Sequence, residues 1–376
     1  MIKKIHIYII KEFSISFFFG TAVFSILLLL DQVFNLLNIL LSKGVEFFIV
    51  LKLFCSFFPN ILVLSIPMAT LFGVLISYGR LSDDNEITAL KASGIDYKTL
   101  TMPVFILIFL ISSFLLVFNH FLSPSIHSNF RSIYEDILIR KPLIKFEEKS
   151  IIDIGEYHIY VNKIDNEKNV LNGIGIYKFE QNNKATNNKN ILPHNDSGSW
   201  RISASSASVA IGDNEVQLTL HKGYWQRIDS KEMNRVLHTT FKTYFFFIPL
   251  ETITKTNSRS ASEMSSAEIL EIIKENKKNK TPHIAYEREF WIRFVFAFAP
   301  IAFVLIALPI GITVNKGGKG ISFGMSLAII LIYYILLIIS LNLAENGYAK
   351  TGVILWLPNI AISLFGACFM FKTIKK

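Results

Sequence analysis

The chain is predicted to be an α-helical membrane protein of six transmembrane helices with an all-β, jelly-roll-like domain inserted at its middle. Three features of the sequence predict this. Six long apolar stretches lie in two groups of three, the polar residues gather between about 125 and 288, and that polar region alternates with the period of a strand. The expected plan is 1–124 for the first three helices, 125–288 for the inserted domain with a return helix, and 289–376 for the last three.

A helix crossing the roughly 30 Å hydrocarbon core needs about 20 apolar residues. The stretches Phe13 to Leu41, Val45 to Tyr78, Leu100 to Leu122, Phe290 to Val314, Ile321 to Leu343 and Gly352 to Phe371 meet that length, and the first two exceed it enough to protrude. The apolar run after Met1 to Lys11 is too long for the core of a secretory signal, and no small-residue cleavage pattern follows, so it counts as a retained span. Pro59 and Pro67 in the second span and Pro300 and Pro309 in the fourth each remove a backbone donor. They imply either bent packing or helices that move.

A net charge of +9 raises nucleic acid as a partner, but no Arg-rich helix, aromatic RNA-binding signature or zinc spacing accompanies it. Membrane topology accounts for the excess. Lys3, Lys4, Lys11, Arg80, Lys91, Lys98, Lys316, Lys319, Lys372, Lys375 and Lys376 fall on one side of a six-span arrangement, against Lys43, Lys52 and Lys350 on the other. Both termini are therefore expected in the cytoplasm and the central domain in the periplasm. Cys55 and Cys368 both sit in apolar runs, which leaves neither a disulfide framework nor a Cys-based metal site.

Between Ile144 and Pro249 the segments YHIYVNKI, GIGIYKFE, WRISASSASVAI, VQLTLHKGYWQ and VLHTTFKTYFFFI read as strands, and DNEKN, NNKATNNKN, PHNDSGS and GDNE as reversals. Antiparallel strands of this kind pack as a sandwich or jelly roll. In SSAEILEIIKENKKNK, Ser265 and Glu268 have capping-box spacing ahead of Ile269, Ile272 and Ile273. A short amphipathic helix is expected there.

The connection Gly79 to Gly94, GRLSDDNEITALKASG, reads as one short helix over about 82–94. Ser82 or Asp83 can cap it, Asp83, Asp84 and Glu86 suit its positive end, Ile87 and Leu90 share a face, and Gly94 can end it. By periodicity alone it is either a plain connector or a docking element. Glu289 and Arg293, four apart, can pair as an anchor, and His120 fits a hydrogen bond better than a ligand role. The loop NKGGKGIS lacks the spacing of a phosphate loop and has no soluble strand before it.

Several of these segments together resemble the LptF/LptG (YjgP/YjgQ) lipopolysaccharide-export permeases. The Gly-Arg-Leu-Ser start, the acidic cluster ending in Glu86-Ile87 and Ala92-Ser93-Gly94 resemble that family's cytoplasmic coupling segment. SIPMATLFGVLISYGRLS resembles its second span, EFWIRFVFAFAPIAFVLIALPIGI its fourth, GKGISFG the start of its fifth and WLPN, Trp356 to Asn359, the middle of its sixth. NEITALKASG leans toward the LptF branch.

The resemblance implies an inner-membrane permease subunit of an ABC-type exporter. Such a subunit pairs with a homologous permease as a heterodimer, binds a cytoplasmic ATPase dimer and passes lipopolysaccharide or a related glycolipid to a periplasmic bridge protein. Asp83, Asp84, Glu86, Ile87 and Leu90 match the coupling helix that docks on the ATPase. The lipid path would be lined mainly by spans one and five, and the candidates on this chain are Asp31, Gln32, Asn35, Asn38 and Lys43. The family's basic residues near the outer end of span one are missing here, so either the head group is less anionic or the partner supplies the charge. Asp31 in a span is either functional or bonded to a neighbouring helix.

Two other readings share the architecture: a membrane-bound lipid-modifying enzyme, and a signalling or scaffold protein. The enzyme needs paired carboxylates, a His cluster or a metal site, whereas Asp153, His158, Asp165 and Glu167 lack ligand spacing. No cofactor and no catalytic residue are expected, and ATP hydrolysis would be supplied in trans.

Overall fold

A computed structural model describes residues 2–41, 46–140, 146–165, 170–178, 199–211, 215–228, 236–249, 260–279, 281–313, 318–346 and 350–374. The expected turn pieces at 166–169, 182–190, 193–198 and 212–214 and the first three residues of the NKGGKGIS loop, 315–317, lie outside them, as does Lys43. The helices are α1 (Ile2–Leu41), α2 (Phe47–Asp83), α3 (Glu86–Ala92), α4 (Tyr97–Val117), α5 (Ser123–Arg140), α6 (Ser266–Asn279), α7 (Ile284–Thr313), α8 (Gly318–Glu345), α9 (Thr351–Leu355) and α10 (Leu357–Ile374). The strands are β1 (Ser150–Ile154), β2 (Tyr157–Asp165), β3 (Val170–Lys178), β4 (Trp200–Ile211), β5 (Glu215–Ile228) and β6 (Val236–Pro249). Two compact units result. One holds Met1–Phe34, Phe54–Phe130 and Arg259–Lys376, the other Asn35–Leu53 and Arg131–Ser258.

Among the described residues five helical stretches are long and apolar enough to cross a bilayer: Lys4–Leu30, Phe47–Asp83, Tyr97–Ile137, Ile284–Thr313 and Gly320–Glu345. The sixth expected span is shorter, with Leu357–Lys372 as its apolar helix. It breaks from α9 at Trp356 because Pro358, two residues on, has no N–H to give and its ring disfavours an unbroken turn. The third helix differs the other way. Instead of ending at Leu122 it passes through a π-helical turn at Phe118–Leu122 and continues as α5 to Arg140. A π turn accommodates one extra residue without ending the helix, so the polar sequence after Ser123 stays helical.

Helices that are apolar all round gain little from hydrophobic segregation in lipid and pack through close backbone approach and polar contacts. Both occur here. Ser25 Oγ donates to Ser65 Oγ across α1 and α2 at 3.0 Å, and Asn359 Nδ2 donates to the Val295 carbonyl across α10 and α7 at 2.9 Å. At Gly366 a Cβ would stand 2.5 Å from the Leu305 carbonyl carbon and 2.6 Å from the Ile306 nitrogen, both backbone atoms of α7. Gly366→Ala should therefore push the two helices apart at a cost of about 1–3 kcal/mol. Thermal unfolding in detergent measures it, and an unchanged midpoint would contradict this packing.

The six strands pair antiparallel in chain order, β1-β2-β3-β4-β5-β6. Five strands match the expected segments, and β1 is an addition. The described strands form a meander in which none returns to pair out of order, so the antiparallel β-rich insertion is present and the jelly-roll order expected for it is not seen among the described residues. Two-layer packing nevertheless arises from the single sheet. The ladders skip Asn162, Gly173, Ser205, Lys222 and Lys242, which form one row across β2 to β6. Gly173 (φ 66) and Lys222 (φ 48) take left-handed backbone in that row.

The buried positions change phase at the row, from Ile202 and Ala204 to Ala207 in β4 and from Leu171 to Ile174 in β3. Phe246 pairs through Leu218 with Val209, nine positions along β4 from Trp200, so a flat sheet would separate them by about 30 Å. Their rings are 6.2 Å apart, and Tyr157 lies 5.2 Å from the same Phe246. The sheet is thus folded over its own apolar face, enclosing Ile159, Ile176, Ile202, Leu218 and Ile248.

Candidate functional site

The segment between α2 and α4 is built by two turns. Asp83 closes α2, Asn85 adopts left-handed backbone (φ 57), and α3 starts at Glu86. At the other end Gly94 (φ 81) closes a Schellman motif, its N–H bonding Lys91 O at 2.9 Å while Ile95 N–H bonds Leu90 O at 3.1 Å. Ile95 and Leu90 also pack on the main apolar core, as that motif requires, and Ile87 is 5% exposed.

The helix expected over 82–94 is therefore shorter, Glu86–Ala92, with Gly79–Asp83 belonging to α2. No side chain caps it. Ser82, an expected cap, is buried and donates instead to the Ile312 carbonyl of α7 at 2.8 Å. The main-chain direction is reversed by the turn at Asn85, so a side chain on the last turn of α2 has a nearer acceptor in α7.

Glu86 is half-buried, and its Oε1 accepts a hydrogen bond from Tyr8 Oη of α1 at 3.0 Å. Arg80 Nη2 in turn donates to Tyr8 Oη at 3.0 Å and pairs with Glu12 Oε1 at 3.0 Å. Glu86, Tyr8, Arg80 and Glu12 thus tie α3, α1 and α2 into one bracket. Sequence reasoning missed Tyr8, Glu12 and this role of Arg80. The available signal was Tyr8 and Glu12 four apart on one helix face.

Of the five expected docking residues, Ile87 and Leu90 face the core, Glu86 serves the bracket, Asp83 is half-buried and Asp84 is exposed. The side open to a partner is made by Asp84, Thr88, Ala89, Lys91 and Ala92. Four of those were not anticipated, because a helix pinned by Ile87 and Leu90 must present the opposite positions.

The lipid-path candidates are placed less completely. Lys43 and the side chains of Asp31, Asn35 and Asn38 lie outside the described residues. Gln32 lines a cavity of about 450 Å³ together with Asn60, Asn119, His127, Glu289 and Arg293, with Leu28, Phe57 and Phe296 among its apolar walls. Both amide atoms of Asn60 and Oδ1 of Asn119 are buried without a protein partner among the described residues. Leaving such groups dry costs free energy, so the cavity suits water or a polar ligand. α1 and α8 each carry outward apolar rows, Phe18, Phe19, Ile26 and Phe34 on one and Leu331, Ile335 and Ile338 on the other.

Arg293 is an anchor, as its spacing from Glu289 implied, and more. Its Nε donates to Glu289 Oε1 at 3.3 Å, Nη1 to Ser266 Oγ at 3.0 Å, and Nη2 to the carbonyls of Ala261, Ser262 and Met264 at 3.2, 3.4 and 2.9 Å. The capping box forms beside it: Ser265 N–H donates to Glu268 Oε2 at 2.7 Å and Glu268 N–H to Ser265 Oγ at 3.3 Å. His120 Nδ1–H donates to the Leu116 carbonyl at 3.0 Å. His158 Nδ1 meets Asp153 Oδ1 at 2.5 Å across the β1–β2 ladder, and Asp165 lies at the far end of β2.

Compared with curated proteins, the chain has no match. Against family models, that of the lipopolysaccharide export system permease LptF/LptG matches residues 7–372. A match over nearly the whole length takes in the apolar helices, the folded sheet and the α3 bracket alike. The chain is a multi-pass membrane protein of lipid transport and belongs to the LptF/LptG family of lipopolysaccharide export permeases.

Proposed function

We propose that this chain is one half of an ABC-type exporter in the inner membrane and is driven through α3 by a cytoplasmic ATPase dimer. The α3 bracket carries this reading. A short helix hydrogen-bonded to α1 through Tyr8, joined to α2 by the tight turn at Asp84 and Asn85, and close to the Ser82 contact with α7 cannot be displaced without moving those spans. Asp84, Thr88 and Lys91 supply polar and charged contacts to the ATPase, and the small Ala89 and Ala92 allow close approach. The lysine and arginine distribution supports six spans with both termini in the cytoplasm, and NEITALKASG supports the LptF branch.

A homologous permease completes the lipid path, with the outward apolar rows of α1 and α8 as walls for acyl chains. The cavity around Gln32 and Asn60 holds water or head-group hydroxyls of lipopolysaccharide or a related glycolipid. The folded sheet stands in the periplasm and hands the lipid on. β6 is an edge strand, and Leu237, Tyr244, Phe245 and Phe247 are exposed on it, so a bridge protein can add a strand there.

Photoreactive residues at Thr88 and Phe245 in the intact complex test both ends. The expected adducts are an ATP-hydrolysing subunit from Thr88 and a β-rich periplasmic protein from Phe245. Labelling of Thr88 by a membrane-impermeant reagent applied from outside would overturn the coupling assignment.

A further inference from the structure

We infer that the pocket where α6, α7, α9 and α10 meet holds a glycerophospholipid, its phosphate on Lys350 and one acyl chain along α10. The cavity measures about 920 Å³ and lies within a single compact unit. Its volume and its walls of Ile284, Trp291, Val353, Trp356 and Ile360 exceed what a free phosphate can use.

Charge selects the head group. Glu287, inside the pocket, pairs with Lys277 at 2.5 Å, and His283 Nε2 stands 3.9 Å from the same carboxylate. Glu345, next to the lining residue Ala344, pairs with Arg288. Both carboxylates at this end are therefore engaged by cations. Lys350 lines the pocket without a carboxylate partner among the described residues, which leaves one positive charge at its rim.

The apolar part selects a bilayer lipid over a protein segment. Val353, Leu357, Ile360 and Leu364 recur at spacings of four, three and four and are all exposed, so they form a row leading out of the pocket along α10. That row is part of the apolar face a bilayer covers, and two tryptophans at its head suit the membrane interface. A phosphate at Lys350 and a chain on the row is the arrangement of an amphiphile lying beside the helices.

Native mass spectrometry of the full-length chain in its membrane complex tests this, with phosphatidylglycerol, phosphatidylcholine and diacylglycerol of identical chains as probes. Wild type should retain one phosphatidylglycerol about tenfold more tightly than diacylglycerol. Lys350→Glu should lose that preference and Lys350→Arg keep it, while a photoreactive acyl chain should label the Val353 to Ile360 stretch in wild type. Lys350 is exposed, and Lys350→Gln should show the same loss should the Glu variant misfold. Equal retention by the Glu, Gln and wild-type chains, diacylglycerol binding as tightly as phosphatidylglycerol, displacement by inorganic phosphate, or preferential capture of the exported glycolipid would each overturn the assignment.

Discussion

Glu86→Arg is expected to abolish lipid export while the chain remains inserted and folded. The substitution removes the acceptor of Tyr8 and sets a second cation beside Arg80, which already donates to that hydroxyl at 3.0 Å. Like charges so close repel, and the Arg80–Glu12 pair is drawn into the rearrangement. α3 then loses its tie to α1, and closure of an ATPase would no longer move that span. We expect transport in reconstituted vesicles to fall at least about tenfold, the equivalent of about 1.4 kcal/mol of lost coupling.

Glu86→Gln separates the two roles the carboxylate could have. It keeps an acceptor for Tyr8 but carries no charge, so export should persist if the bracket matters and fail if Glu86 meets a basic ATPase residue. Wild-type export by the Arg variant would remove α3 from the mechanism.

Arg293→Leu should destabilise the helical unit more than any surface change, by about 3–5 kcal/mol, as breaking a buried charged network does. Arg293 is 5% exposed, and its loss strands three carbonyls of the segment from Ala261 to Met264 together with Ser266 and the Glu289 carboxylate. Glu289→Gln in the same chain should recover part of the loss, because the carboxylate is then no longer left charged without its partner. Thermal unfolding in detergent and protease cleavage near Ala261 measure both effects. Equal stability of Arg293→Leu and wild type would show that the return segment is held by α6 alone.

These two residues also show how far the sequence could be read. Periodicity placed Glu289 and Arg293 on one helix face and foresaw their pairing, because an i, i+4 relation is local. The carbonyls of residues 261–264 come from about thirty positions upstream, and nothing in their composition marks them as acceptors. Glu86 was legible as a charged residue at a helix start. Its engagement by Tyr8, 78 positions away, was not. The capping box of Ser265 and Glu268 is legible in the sequence because it closes within four residues.

Apolar length, charge asymmetry and strand alternation by themselves determined that this chain has bilayer-length helices on either side of a β-rich insertion, because each depends on residues near in sequence meeting the same solvent. The tertiary structure alone decided which face of α3 points outward, that the sheet is a meander folded on the row from Asn162 to Lys242, and that Lys350 crowns an apolar pocket. Those outcomes follow from distant segments competing for the same buried space and the same hydrogen-bond acceptors, and no local pattern records which competitor wins.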